Sequence, residues 1–146
     1  MLEVFQFVAI ATCMLFAGAA VYVNLVEHPA RLGCSTAVAA TVFVSSYKRA
    51  VPVQVSLAVI AAVSGIGVWA LSKNPMWLLG ATLIISVIPF TLFFIMPTNK
   101  KLLAPAIDKA AQSTRQLLLL WGKLHAARSI LSLAASFLYV WLAIKS

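Results

Sequence analysis

Trp121, His125 and Arg128 stand at i, i+4 and i+7 in "WGKLHAAR", a stretch without a helix breaker, so an indole, an imidazole and a guanidinium fall on one helical stripe. An imidazole titrates near neutrality and suits proton abstraction. A guanidinium stabilises an anion, most strongly where water is excluded. A second set lies in "VNLVEHPARLGCS", where Glu27, His28 and Arg31 fall within five residues. With Asn24 they would share one face if the helix ran through unbroken. A third, "MPTNKKL", offers Asn99, whose amide both donates and accepts, and Lys100, whose charge attracts an anionic or enolate-like ligand. These types fit base-assisted formation of a substrate anion. His125 or His28 would be the base, with Glu27 orienting a histidine or pairing with Arg31. Arg128, Lys100 and Asn99 would stabilise the developing oxyanion, and Trp121 would stack on a flat aromatic ring.

The same residues admit other uses. Two histidines and a carboxylate, His28, His125 and Glu27, could form the 2-His-1-carboxylate set that holds iron and would also suit copper or zinc. No HxxxH or CxxC spacing supports that set, so the expected cofactor is none, with iron or copper as the alternative. Glu27 and Arg31 could be an ion pair at a helix end, His28 a turn residue before Pro29, and Arg128 a snorkelling cation. Trp121, Trp77 and Trp141 fit an aromatic belt at the membrane interfaces.

The elements that must position these groups follow from composition. The 146 residues are 63% hydrophobic and 10% charged, with a mean hydropathy of +1.02, against about 25% charged in soluble proteins. This is an integral membrane chain. No repeat, low-complexity tract or linker divides it, so residues 1–146 form a single membrane domain. The net charge of +8 does not imply nucleic acid, because the basic residues punctuate lipid-compatible runs instead of coating a water-facing surface. Cys13 and Cys34 show no framework spacing and are expected to be free thiols.

Spans are expected over about 4–26, 51–72, 76–96 and 125–144. The first lacks a basic leader region, which argues against a cleaved signal peptide. Pro89 is expected to kink the third, and Pro97 to end it. The uncharged stretch 129–144 covers only about 24 Å as a helix, so the fourth span must borrow the turn carrying Arg128 and His125. At that depth both should face the bundle interior. Segment 30–50, with an apolar core of about 12 residues, is expected to be a separate interfacial helix, turned at "HP" and laid as a lid over the bundle. The fold class is thus all-α: a four-helix membrane bundle with a short extra helix between its first two spans.

Following the chain across the bilayer puts all three motifs on one face. Nine of the eleven basic residues gather there: Arg31, Lys48, Arg49, Lys100, Lys101, Lys109, Arg115, Lys123 and Arg128. The positive-inside rule makes that face cytoplasmic and places both termini on the other side.

"VNLVEHPAR", "MPTNKKL" and "WGKLHAAR", in that order between those spans, resemble the anthrone-oxygenase-like family of small membrane proteins. The resemblance covers nearly the whole chain. It implies a four-helix membrane bundle and, as in the polyketide-processing members, a monooxygenase that converts an anthrone to an anthraquinone with molecular oxygen and no evident cofactor. By motif it carries over Glu27, His28, Pro29 and Arg31; Pro97, Asn99 and Lys100; and Trp121, His125 and Arg128. The implied partners are a hydrophobic aromatic substrate, anthrone or quinol-like, with oxygen and membrane lipid. A non-enzymatic accessory subunit is the reading from another class, since Gly18, Ala19, Ala20, Gly65 and Gly67 would permit close helix contacts with a partner.

Overall fold

A computed structural model describes residues 1–145. Four helices are long and apolar enough to cross a membrane: α1 (Leu2–Leu32), α2 (Thr36–Ser72), α3 (Met76–Leu102) and α4 (Gln112–Ile144). α1 packs on α2 and α4, and α3 packs on the same two, giving an up-down-up-down square. There is no strand among the described residues. Large apolar side chains such as Phe7, Leu15, Val63, Phe93 and Phe137 cover the outside. A helix apolar on every side is what lipid, not water, selects.

Segment 30–50 is not a separate interfacial helix. Residues from Thr36 onward run without interruption into α2, which is 37 residues long, or about 55 Å. Ser35 caps its start, accepting a hydrogen bond from the Val38 N–H at 3.4 Å. Hydrocarbon thickness limits how much of a helix lipid covers, not how far the helix continues. Lys48 and Arg49 are exposed and therefore do not interrupt it. The break expected at "HP" is also absent, because α1 continues to Leu32.

What the prolines do instead is widen the helix. Residues Val23–Glu27 and Thr91–Ile95 are π-helical turns. In each, the residue just before a proline bonds five positions back: His28 N–H to the Val23 carbonyl, and Met96 N–H to the Thr91 carbonyl. Pro29 and Pro97 lack an N–H, and their rings press on the carbonyl four residues earlier. That carbonyl, Leu25 or Phe93, lies within the π turn, where the wider path relieves the clash without ending the helix. Pro89 acts nearer the expectation, as α3 is interrupted at Ser86.

The bundle has two unlike halves. The end holding the termini is packed by small residues, Ala9, Cys13, Ala58, Ala61 and Ala62, around Tyr139 stacked on Trp77 at 5.0 Å. A Cβ at Gly65 or Gly80 would lie 2.0 or 2.3 Å from Tyr139, so these glycines make the space that ring occupies. Gly67 abuts Phe5, and only open space surrounds Gly18. Trp77 is therefore core and not part of an aromatic belt, whereas Trp141 is exposed, with Lys145 over its ring at 4.3 Å. At the opposite end the core is aromatic and polar, built around Phe43, Ile95, Leu118 and Trp121. Arg115 ties that end together by donating to the Leu32 and Cys34 carbonyls at 2.5 and 3.3 Å, which caps the last turn of α1. Both cysteines are free, Cys13 buried and Cys34 exposed.

Candidate functional site

All four helices bring polar groups together at the loop end. Val23, Glu27 and Arg31 come from α1, Phe43, Ser46, Tyr47 and Gln54 from α2, Ile95 and Asn99 from α3, and Trp121, His125 and Arg128 from α4. They line a cavity of about 60 Å³, room for a few waters.

The hydrogen bonds around His125 fix its tautomer. Asn24 donates through Nδ2 to the Gly122 carbonyl at 3.1 Å, so its Oδ1 is the acceptor. That oxygen takes the Ser129 hydroxyl at 2.6 Å and lies 2.7 Å from His125 Nδ1. His125 Nδ1 must then carry the proton, which leaves the lone pair on Nε2. His125 lines the cavity and stacks on Trp121 at 4.7 Å between ring centroids. A buried imidazole with one nitrogen held by a neighbour and the other bare is the arrangement a general base requires.

A second relay reaches the same cavity. Trp121 Nε1 donates to Asn99 Oδ1 at 2.9 Å, so Asn99 Nδ2 donates onward to the Tyr47 hydroxyl at 3.2 Å. With its oxygen accepting, Tyr47 keeps its own proton for a ligand. Arg128 turns inward and does not snorkel. It donates to Gln54 Oε1, lies 4.9 Å above the Phe16 ring, and leaves a buried Nε without a partner.

Arg31 is buried as well, at 6% exposure. It donates to the Glu27 carboxylate and to Ser46 Oγ, the latter at 3.0 Å, while its Nε and Nη1 find no acceptor. Burying a guanidinium is costly unless it is paired, and one partly exposed carboxylate serves only part of it.

The expected residues do not all converge. Lys100 is exposed and lies outside the cavity lining, so it is not placed to touch a ligand there. It follows buried Asn99 by one residue, and one residue is about 100° around a helix, enough to face a neighbouring side chain outward. His28 also stands off the cavity, behind Trp121 at 5.0 Å between centroids. Its Nε2 donates to the Leu118 carbonyl at 3.0 Å, and its Nδ1 is buried without a partner. Gly122 makes room for that ring, since a Cβ there would meet His28 at 2.7 Å. His28 therefore supports the indole, and His125 is the imidazole that faces the space.

His28, His125 and Glu27 do not gather as a donor set. Among the described residues no three His, Cys, Asp or Glu side chains come together in a metal-holding group. Glu27 is engaged by Arg31 and His28 by a backbone carbonyl.

Asn24, Tyr47 and Gln54 were not singled out as site residues by sequence reasoning. Asn24 and Gln54 left a signal, each being an amide inside an otherwise apolar span, where polar groups are expensive and usually inward-facing. Tyr47 left none, because its importance comes only from the orientation of Asn99.

Fold and site together define a polytopic α-helical membrane protein with a buried imidazole–guanidinium cavity at one end of its bundle. The profile of the anthrone oxygenase family matches residues 43–138, most of the chain, and the protein belongs to that family. The match takes in "MPTNKKL" and "WGKLHAAR" and begins after "VNLVEHPAR". No curated protein and no solved structure matches the chain.

Proposed function

We propose that this protein is a membrane-embedded oxygenase that oxidises an anthrone or quinol-like aromatic with molecular oxygen, using His125 as the base. The observation that carries the reading is the Asn24-held imidazole, whose Nε2 lone pair faces a cavity lined by hydrogen-bond donors. An anthrone methylene opposite the ring carbonyl is acidic, and its anion is aromatic and electron-rich. His125 Nε2 takes one methylene proton, and the negative charge moves to the former carbonyl oxygen. Tyr47 O–H and the Arg128 guanidinium are the groups suited to hold that oxygen in a water-poor site.

The anion then passes an electron to oxygen, and the two radicals join through a new C–O bond to give a hydroperoxide once protonated. Loss of the second methylene proton breaks the O–O bond. The carbon becomes a carbonyl, and the leaving hydroxide takes a proton and departs as water. One anthrone and one oxygen molecule thus become one quinone and one water, with His125 returned to its starting state. No step requires a bound metal.

Access from the bilayer is consistent with the geometry. The cavity shares Tyr47, Val51, Gln54 and Arg128 with a cleft of about 130 Å³ between α2 and α3, whose other walls include Val55, Ile88, Thr91 and Leu92. A three-ring substrate exceeds the resting cavity and would enter along this cleft as the Gln54–Arg128 pair moves aside. The concentration of basic residues at the site end supports a cytoplasmic placement, with both termini across the membrane.

The test is oxygen uptake by purified protein offered a panel of anthrones and hydroquinones. Uptake matched one-to-one by quinone formation is expected, with His125→Ala losing about 10²–10⁴-fold while remaining helical. Full activity in His125→Ala would remove the imidazole from the mechanism.

A further inference from the structure

The cavity holds more positive charge than its own side chains neutralise. Arg31 and Arg128 both line it, Glu27 is the one carboxylate among its walls, and three buried guanidinium nitrogens (Arg31 Nε, Arg31 Nη1 and Arg128 Nε) have no acceptor. Unpaired donors on a buried cation are rarely tolerated without a ligand or water to take them.

The two cations sit at different depths. Arg31 is held by Ser46 and Arg128 by Gln54, eight residues apart on α2, which is about 12 Å along the axis. His125, Trp121 and Tyr47 line the same cavity. Such a spacing suits an elongated flat molecule with an oxygen at each end. Arg128 answers to the oxygen that gains charge during reaction, as argued above. Arg31, anchored about two turns away along α2, is suited to a different oxygen.

We infer that Arg31 is a subsite for a permanently acidic group, a carboxylate or an acidic phenol, on the end of the aromatic ligand remote from Arg128. This deepens the proposed function and rests on the cavity being the substrate site. Glu27 is then a placeholder: it holds Arg31 in an empty cavity and competes with the ligand's acidic group for it. The competition separates a binding role from a structural one, because removing the Glu27 charge should help the ligand while a mere ion pair would gain nothing.

The experiment is equilibrium binding to the detergent-purified full chain of two oxygen-inert probes, anthraquinone-2-carboxylate and unsubstituted anthraquinone, followed by quenching of tryptophan fluorescence. Wild-type protein should bind the carboxylated probe roughly tenfold or more tightly than the plain one. Arg31→Gln should erase that preference, and Glu27→Gln should strengthen it. Equal affinity for the two probes in wild type, or an undiminished preference in Arg31→Gln, would overturn the inference. If Arg31→Gln does not fold, Glu27→Gln decides alone: a stronger preference supports the subsite, and an unchanged or weaker one refutes it. Because neither probe reacts with oxygen, a protein that shows the preference but consumes no oxygen keeps the subsite and loses the oxygenase reading.

Discussion

The two ends of this bundle are built from the same four helices by opposite means. At the terminal end Ala9, Ala58, Ala61, Gly65 and Gly80 bring helices close around the Tyr139–Trp77 stack, and the core is dry but for the hydroxyls of Ser64, Ser132, Ser136 and Tyr139. At the loop end the helices carry two π turns, a buried Arg31, a half-buried Arg128 and two buried histidines beside open space. Tight packing is what a membrane bundle uses for stability, since lipid competes equally for apolar surface. Unpaired polar groups are what it keeps for function. One half holds the frame, and the other holds the proposed site.

If that division is right, substitutions should separate by half, and the largest effect on stability should come from the dry end. Tyr139→Ala empties the space that Gly65 and Gly80 frame and should lower unfolding free energy by about 3 kcal/mol. Denaturant titration in detergent would show it, with binding of an inert quinone unchanged in the fraction still folded. Gly122→Ala tests the seam between structure and site. Its methyl group would displace the His28 ring from behind Trp121, costing about 1–3 kcal/mol and, through the moved indole, roughly tenfold in turnover.

Asn24→Ala should show the reverse pattern. It frees the His125 tautomer and should cut turnover roughly 10- to 100-fold with a smaller loss of stability, read by oxygen uptake beside a thermal melt. Lys100→Ala sets the floor. Its side chain is exposed and outside the cavity, so turnover and melting should move by less than about 0.5 kcal/mol. A large loss there would place the site elsewhere.

The same division governs what the sequence discloses. Apolar runs between charged clusters marked all four membrane-crossing helices, because lipid exposure is a property of composition along each helix. The inward turn of His125 and Arg128 was legible in a last uncharged stretch too short to span without them. The interfacial helix failed because residues from Thr36 continue into α2 past exposed Lys48 and Arg49, and the break read at Pro29 failed because a π turn absorbed it. Lys100 lies outside the cavity because motif adjacency to Asn99 says nothing about which way each side chain faces. Tyr47 and the tautomer of His125 depend on amide orientations set across all four helices, and no local pattern encodes those.

The claim that most needs a direct reading is that His125 removes a proton from the substrate carbon before oxygen takes part. Under anaerobic conditions, proton NMR can follow exchange of anthrone methylene deuterium into water with wild-type protein and with His125→Ala. Exchange well above the uncatalysed rate in wild type, falling to that rate in His125→Ala, is the predicted result. Wild-type protein that oxidises the anthrone in air yet shows no exchange above background without oxygen, or a His125→Ala variant that exchanges as fast as wild type, would contradict it.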